Sequence, residues 1–237
     1  MKRRRLGQHY LVDQEAVRRV VELARIQPSE RVLEIGTGMG ILTKELARKG
    51  ASLVAYEVDR ENFVATSEAV KETGVEVLLA DAFNQQPEFD VLASSLPYSQ
   101  SAIFVEWLSE MKFGRAVVVL QEDFVRKIMA RPGDRDYRGI SALAQIAFDV
   151  KVLGRIDRKS FSPPPRVNSV IVSFTSRRQV SRAEITNIVR LFTLRRRQVE
   201  SVLAELGIIR KTGYGRRRVY ELRPDEVYEL CRPTGTK

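Results

Sequence analysis

Apolar residues along the first 176 positions follow two alternating rhythms. Short apolar runs bounded by glycine or polar residues read as buried strands, and longer segments with apolar positions three and four apart read as helices. DQEAVRRVVELARI is the first helix, with Asp13 placed to accept from the free amides of its first turn. RVLEIGTG predicts a strand ending in glycines, ILTKELARKG a helix closed by Gly50, SLVAYEVD a second strand and ENFVATSEAVKETG the next helix. VEVLLADAF and FDVLASSLPY hold the third and fourth strands, AIFVEWLSEM a helix and GRAVVVLQ the fifth strand. EDFVRKIMA and ISALAQIAF read as helices around the loop RPGDRDYRG, and DVKVLGRI and VNSVIVSFTS as late strands around FSPPPR. Beyond Ser176 the strand pattern stops: AEITNIVRLFTLRRRQVESVLAELG and RPDEVYELC read as helical.

Alternating strands and helices predict an α/β fold, a mostly parallel sheet with helices on both faces. Two domains are expected: 1–176, carrying the sheet, and 177–237, small and helical. No stretch approaches the length of apolar residues needed to span a bilayer, so no membrane partner is expected. One histidine, His9, and one cysteine, Cys231, leave little for metal or imidazole chemistry and exclude an internal disulfide. No metal is therefore expected, and the expected setting is the cytoplasm.

Charge changes the picture at the two ends. The chain carries a net charge of +10, and Ser176–Lys237 alone hold fifteen Lys and Arg against seven Asp and Glu. Arg3, Arg4 and Arg5 add a basic start. A near-neutral body with basic ends fits a catalytic domain flanked by polyanion-binding segments. Arg195, Arg196 and Arg197 with Arg216, Arg217 and Arg218 are the candidate RNA-phosphate contacts, although three consecutive helical residues cannot share one face.

The first strand ends in Glu34-Ile35-Gly36-Thr37-Gly38-Met39-Gly40. Glycines at a strand-to-helix turn let backbone approach a ligand closely. Ile41 breaks the dinucleotide pattern, and E-x-G-x-G-x-G is the form of S-adenosylmethionine (SAM) methyltransferases. Glu57, twenty-one residues after Gly36 and followed by Val58, ends the second strand, where a carboxylate can accept from ribose hydroxyls. Asp81 ends the third strand, where it can face an adenine amino group, with Ala82 and Phe83 beside it. Open parallel sheets bind ligands at these carboxyl ends. Gly36, Gly38, Glu57, Val58, Asp81 and Ala82 are thus candidate cofactor residues.

The fourth strand runs into Ser95-Leu96-Pro97-Tyr98. An exocyclic amine such as adenine N6 is a poor nucleophile, because its lone pair is delocalised into the ring. Acceptors on its two N–H groups favour a more reactive nitrogen. The Ser95 hydroxyl and the Leu96 and Pro97 carbonyls could supply them, and the Tyr98 ring could stack on the base. Standing alone, the stretch could equally be a plain strand-to-loop corner.

These motifs together resemble the rRNA adenine N6,N6-dimethyltransferases, over nearly the whole chain. LGQHYLVDQEAV, VLEIGTGMGILT, YEVD, ADAF, SLPYSQSAIFVEWL, VLQEDFVRKIMARPGDRDYRGISALAQ, FSPPPRVNSVIVSF and FTLRRRQVESVL match the family's blocks in order. The resemblance implies a Rossmann-like class I SAM methyltransferase sheet with a C-terminal helical domain. It implies transfer of methyl from SAM to adenine N6 in small-subunit rRNA near the 3′ end, on an immature subunit; nothing in the sequence suggests an obligate partner, so a monomer is expected. It also implies that His9 and Leu11 touch the cofactor, with Gln8 ordering the segment over it, although His9 could instead be a packing residue. Phe161 either flanks the target base or anchors the proline-rich loop. Two departures stand out. Ser95 replaces the family's asparagine, which leaves the second methylation open, and Ser99-Gln100-Ser101-Ala102 lacks the usual proline. These leave room for another RNA target, large-subunit rRNA or tRNA, or for an assembly factor with little activity.

Overall fold

The computed structural model describes residues 9–208 and 213–232. They fall into two compact units, one drawn from 9–104, 111–125 and 149–176, the other from 105–110, 126–148, 177–208 and 213–232.

The first unit opens with β1 (Tyr10–Leu11), α1 (Gln14–Ala24), β2 (Arg31–Ile35), α2 (Ile41–Ala47), β3 (Ser52–Glu57), α3 (Arg60–Val70), β4 (Glu76–Leu79) and β5 (Val91–Ser95). It continues with the start of α4 (Ser101–Glu110), β6 (Arg115–Gln121) and the start of α5 (Glu122–Ile128). After α6 (Gly139–Ala147), which belongs to the second unit, come most of β7 (Phe148–Ile156), then β8 (Phe161–Ser162) and β9 (Ser169–Ser176).

The seven-stranded sheet has the order β4-β3-β2-β5-β6-β9-β7. Strands β2 to β6 pair in parallel, and β9 runs antiparallel to β6. The chain builds outward from β2 to β4 and returns to β5 on the other side of β2. The order reverses there, and an open α/β sheet leaves its crevice at that point.

The register shows why both faces are buried. Val117 and Val119 of β6 join a core with Val17, Val20 and Val21 of α1 and Leu42 and Leu46 of α2. Their neighbours Ala116 and Val118 point to the opposite face, opposite Phe174 and Val172 of β9. There Phe104 of α4 meets Phe174 edge-on, with ring centres 5.8 Å apart. Burying each such Val, Leu or Phe stabilises the fold by roughly 1.5–3 kcal/mol. Asp13 caps α1 as expected, accepting from Glu15 N at 2.9 Å and Ala16 N at 3.3 Å. Ser160 Oγ donates to its other oxygen at 2.8 Å, and this bond, more than the helix amides, holds the Asp13 carboxyl below its usual range. β1 pairs with β8, Tyr10 opposite Ser162 and Leu11 opposite Phe161. A two-residue pairing is too short to leave a period in the sequence.

The second unit continues with α7 (Arg182–Thr193), α8 (Val199–Glu205) and α9 (Pro224–Cys231). α6, α7 and α9 pack on one another around Ile185, Ile188, Leu191 and Val227. The last strand ends at Ser176, where the sequence placed its boundary, but the helical unit also draws in 105–110 and 126–148. The apolar face of α6 is buried against α7 and α9, and this takes the segment out of the first unit. The stretch read as one helix from Ala183 to Gly207 is broken at Leu194–Gln198. Tyr220 N takes the carbonyl of Arg195 at 3.0 Å and Val219 N that of Arg197 at 3.1 Å, so neither is left to continue the helix. Arg195, Arg196 and Arg197 therefore lie on a turn, not on a helix.

Candidate active site

The carboxyl ends of β2 to β5 open onto a cavity with about 1120 Å³ of empty space, counting its open mouth. It lies wholly within the first unit.

One wall is the turn between β2 and α2. Gly38 has φ 54°, and a Cβ there would stand 2.8 Å from Tyr10 Cδ1. The turn therefore needs glycine twice over, for its left-handed backbone and for the tyrosine that closes on it. Tyr10 is held in place in turn by Asn62, whose Nδ2 donates to its hydroxyl at 3.3 Å.

Glu57 ends β3 and is only 3% exposed. Its Oε2 accepts from Gly38 N at 2.9 Å and Thr37 Oγ1 at 3.2 Å. Its Oε1 accepts from Val58 N and Asp59 N, both at 2.9 Å. A carboxylate offers about four lone-pair sites, and the chain's own donors fill all of them. The Thr37 bond is the longest and the one a ligand hydroxyl can most readily replace.

Glu34 is the opposite case. It is fully buried on the cavity wall, and neither carboxyl oxygen has a hydrogen-bond partner. Burial pushes its carboxyl up to about 8, moderated by the nearby Thr43 hydroxyl and reinforced by the charge of Glu57. At neutral pH this acid is mostly protonated.

Asp81 caps a short turn, accepting from Phe83 N at 3.0 Å and Asn84 Nδ2 at 3.2 Å, and also lines the cavity. At the end of β5 the two serines divide. Ser94 Oγ donates to Ile35 O at 2.5 Å and ties β5 to β2. Ser95 lines the cavity, half-buried, and its side chain bonds to no described residue. The Pro97 carbonyl accepts from Gln100 N at 2.9 Å, which leaves it one lone pair.

The cavity wall thus brings together His9, Leu11, Gly36, Gly38, Glu57, Val58, Asp81, Ala82, Ser95, Leu96 and Pro97. Tyr98 and Phe161 are not on it. Tyr98 follows Pro97 of the wall and is half-buried: its hydroxyl shares a 2.6 Å hydrogen bond with Ser169 Oγ, and its ring lies 5.6 Å from the His9 ring. Burial raises the Tyr98 hydroxyl's pKa against the lowering effect of the Ser169 bond. His9 Nδ1 donates to Pro163 O at 2.7 Å, so His9 both packs and lines the wall. Phe161 is 3% exposed in the core with Leu11 and Val17, which is the anchoring alternative. Gln8, Arg3, Arg4 and Arg5 lie outside the described residues.

The sequence does not mark Tyr10 or Asn62 as site residues, and it shows Glu34 and Thr37 in the glycine-rich stretch without assigning them a role. Glu34 carried a signal, an acidic residue in the middle of an apolar strand. Tyr10 and Asn62 carried none, because only the fold brings them to Gly38.

In the second unit the arginine candidates separate. Arg217 is bidentate to Glu226, at 2.8 and 2.9 Å, and donates to Glu221 O at 2.7 Å. Arg197 pairs with Glu205 and reaches Ser201 Oγ at 3.0 Å. Arg196, Arg216 and Arg218 are exposed and Arg195 half-buried, and none of the four has an ion pair among the described residues.

The glycine-rich turn and the acids at successive strand ends suit a nucleoside cofactor. Fold and site define a Rossmann-like SAM-dependent methyltransferase. A family model, ribosomal RNA adenine dimethylase, matches residues 1–224, and the chain belongs to that family. It is 32% identical over 240 residues to a probable ribosomal RNA small subunit methyltransferase A of Pyrococcus abyssi, covering 95% of this chain and 89% of the relative. In fold it is similar to a dimethyladenosine transferase from Plasmodium falciparum, with a TM-score of 0.79 at 21% identity, covering 94% and 96% of the two chains. The 23S rRNA methyltransferase ErmE gives 0.65 at 25% identity, covering 94% and 99%.

Proposed function

We propose that this protein methylates N6 of adenosines near the 3′ end of small-subunit rRNA, acting as a cytoplasmic monomer on an immature subunit. The observation that carries the reading is the free hydroxyl of Ser95 on the wall of the cofactor cavity, beside the Leu96 and Pro97 carbonyls. The P. abyssi relative's name points to the small subunit. Among the described residues no helix is long and apolar enough to cross a membrane.

When bound, SAM supplies an electrophilic methyl group on sulfur. The turn from Gly36 to Gly38 would hold the methionine end and Asp81 the adenine amino group, with Val58 and Ala82 packing on the adenine ring. Glu57 would take a ribose hydroxyl in place of Thr37. A target adenosine has to leave its stack to reach such a pocket. Ser95 Oγ and the Leu96 and Pro97 carbonyls would accept from its amino group, with Tyr98, braced by Ser169 and His9, as the ring against the base. Positioning and fixed acceptors supply the acceleration. The methylated amine becomes acidic enough to lose its proton to solvent, so no strong general base is needed.

Ser95 in place of asparagine, together with the likeness to ErmE, favours a second reading, methylation of adenine in another RNA. Incubating the protein with labelled SAM and immature small subunits, then mapping modified bases, separates the two. Label on adenines near the 3′ end of small-subunit rRNA is expected. Label confined to another RNA would favour the second reading, and no labelled adenine despite measurable SAM binding would leave an assembly factor.

A further inference from the structure

An adenine amino group brings ring nitrogens with it: N1 and N7 lie on either side, and both are acceptors. The Leu96 and Pro97 carbonyls can take the amino N–H groups but give nothing to a ring nitrogen. Several donors around this stretch are already committed. The Tyr98 hydroxyl shares its bond with Ser169 Oγ, and Asn62 Nδ2 donates to the Tyr10 hydroxyl. His9 Nδ1 donates to Pro163 O, which leaves an acceptor at Nε2 of the neutral ring.

Gln100 differs from these. It lines the same cavity as Ser95, is half-buried, and its side-chain amide bonds to no described residue. Its backbone is fixed. Gln100 N donates to Pro97 O at 2.9 Å, and the next residue, Ser101, is 1% exposed and donates from Oγ to Tyr98 O at 2.9 Å. The Tyr98 hydroxyl ties the same short turn, Tyr98–Gln100, to Ser169 of β9 at 2.6 Å. The turn therefore carries an uncommitted carboxamide on a pinned base, at the head of α4. A serine hydroxyl is a single short group, whereas a carboxamide sets a donor and an acceptor side by side. Adenine sets an N6–H beside a bare ring nitrogen, and the two groups pair through two hydrogen bonds.

We propose that Gln100 is a substrate-binding residue of this site, its side-chain amide pairing with the amino edge of the target adenine while Ser95 Oγ accepts the second N–H. Gln100 then does from five residues further along the chain what a longer amide at position 95 would do. This rests on the reading that an adenine amino group is the methyl acceptor, and it names the group that orients that amine.

The test is Gln100→Leu, compared with wild type in methyl transfer from labelled SAM to immature small subunits. kcat is expected to fall at least tenfold, with the melting temperature and the SAM affinity by calorimetry unchanged. A residue that only completes the turn would give the reverse, a lower melting temperature with kcat kept. Adding Ser95→Asn to Gln100→Leu returns a carboxamide to the wall and should recover most of the lost rate. Wild-type kcat in Gln100→Leu overturns the proposal. So does a tenfold loss of SAM affinity, which would move Gln100 onto the cofactor, and so does a double variant that melts like wild type yet is no faster than Gln100→Leu. Adenosine and purine riboside, which lacks the amino group, separate this assignment from the functional reading. Wild type loaded with S-adenosylhomocysteine should bind adenosine in preference, by saturation-transfer NMR, and Gln100→Leu should lose most of that preference. If no small-subunit adenine is methylated while the variant still loses the preference, the functional reading falls and the role of Gln100 stands. A preference equal in the two proteins overturns it.

Discussion

Each unit of this protein holds charge-bearing groups that no neighbour satisfies, and the two are resolved in opposite ways. In the cavity of the first unit Glu34 is buried without a donor, and it responds by holding its proton. On the second unit Arg195 is half-buried beside the like charges of Arg138 and Arg196, against the opposing charge of Asp136, and cannot discharge. A buried acid settles its own imbalance by keeping its proton, whereas an arginine stays charged at any ordinary pH. Within the cavity the same contrast recurs between Glu57, with four donors, and Glu34, with none.

The largest effect is expected at Glu57. Glu57→Ala strips acceptors from Gly38 N, Val58 N, Asp59 N and the Thr37 hydroxyl together. Leaving even two of these donors unsatisfied costs about 3 kcal/mol, readable as a lower urea midpoint. SAM affinity should drop at least tenfold, on the order of 1.4 kcal/mol. Unchanged affinity by calorimetry would remove Glu57 from the cofactor site and leave it a purely structural group.

Next comes the pH dependence set by Glu34. Its folded pKa of about 8 lies above the ordinary 4.5, so between those values the unfolded chain has released a proton that the folded chain keeps. Stability must then fall as pH rises through that window, by up to about 1.4 kcal/mol per pH unit from this group. Glu34→Gln removes the slope. The variant should melt close to wild type at pH 5 and well above it at pH 8. A difference between the two that does not change with pH would mean that Glu34 is ionised in the fold.

The contrast also separates what the chain's letters could show from what they could not. The strand ends were legible because glycines, acids and apolar runs recur at fixed offsets, and Gly36, Glu57, Asp81 and Ser95 all reach the cavity. Leu96 and Pro97 reach it too, but Tyr98 and Phe161 do not. A two-residue strand pairing puts Phe161 opposite Leu11, and Ser169 takes up the Tyr98 hydroxyl. Neither contact has a period. Tyr10 against Gly38 was hidden for the same reason, being a meeting of residues far apart in sequence. The arginine runs were visible as charge, but which members are already paired depends on Glu205 and Glu226.

The smallest expected effect tests that last division directly. Arg217 and Arg196 belong to similar runs, yet Arg217 is bidentate to a carboxylate whose side chain is only 16% exposed, while Arg196 has no such partner. Arg217→Ala should cost about 1 kcal/mol or less, because its own side chain is partly solvated. That contribution fades as pH falls, since the Arg217 guanidinium, first among its causes, holds the Glu226 carboxyl below the usual range. Arg196→Ala should leave stability within about 0.5 kcal/mol of wild type, or raise it slightly by relieving Arg195, while flattening the salt dependence of RNA binding. Paired melts and salt titrations of the two variants read both effects. If Arg196→Ala destabilised as much as Arg217→Ala, the second unit would be using its arginines to hold itself together, and the opposition between a self-settled cavity and a waiting surface would fail.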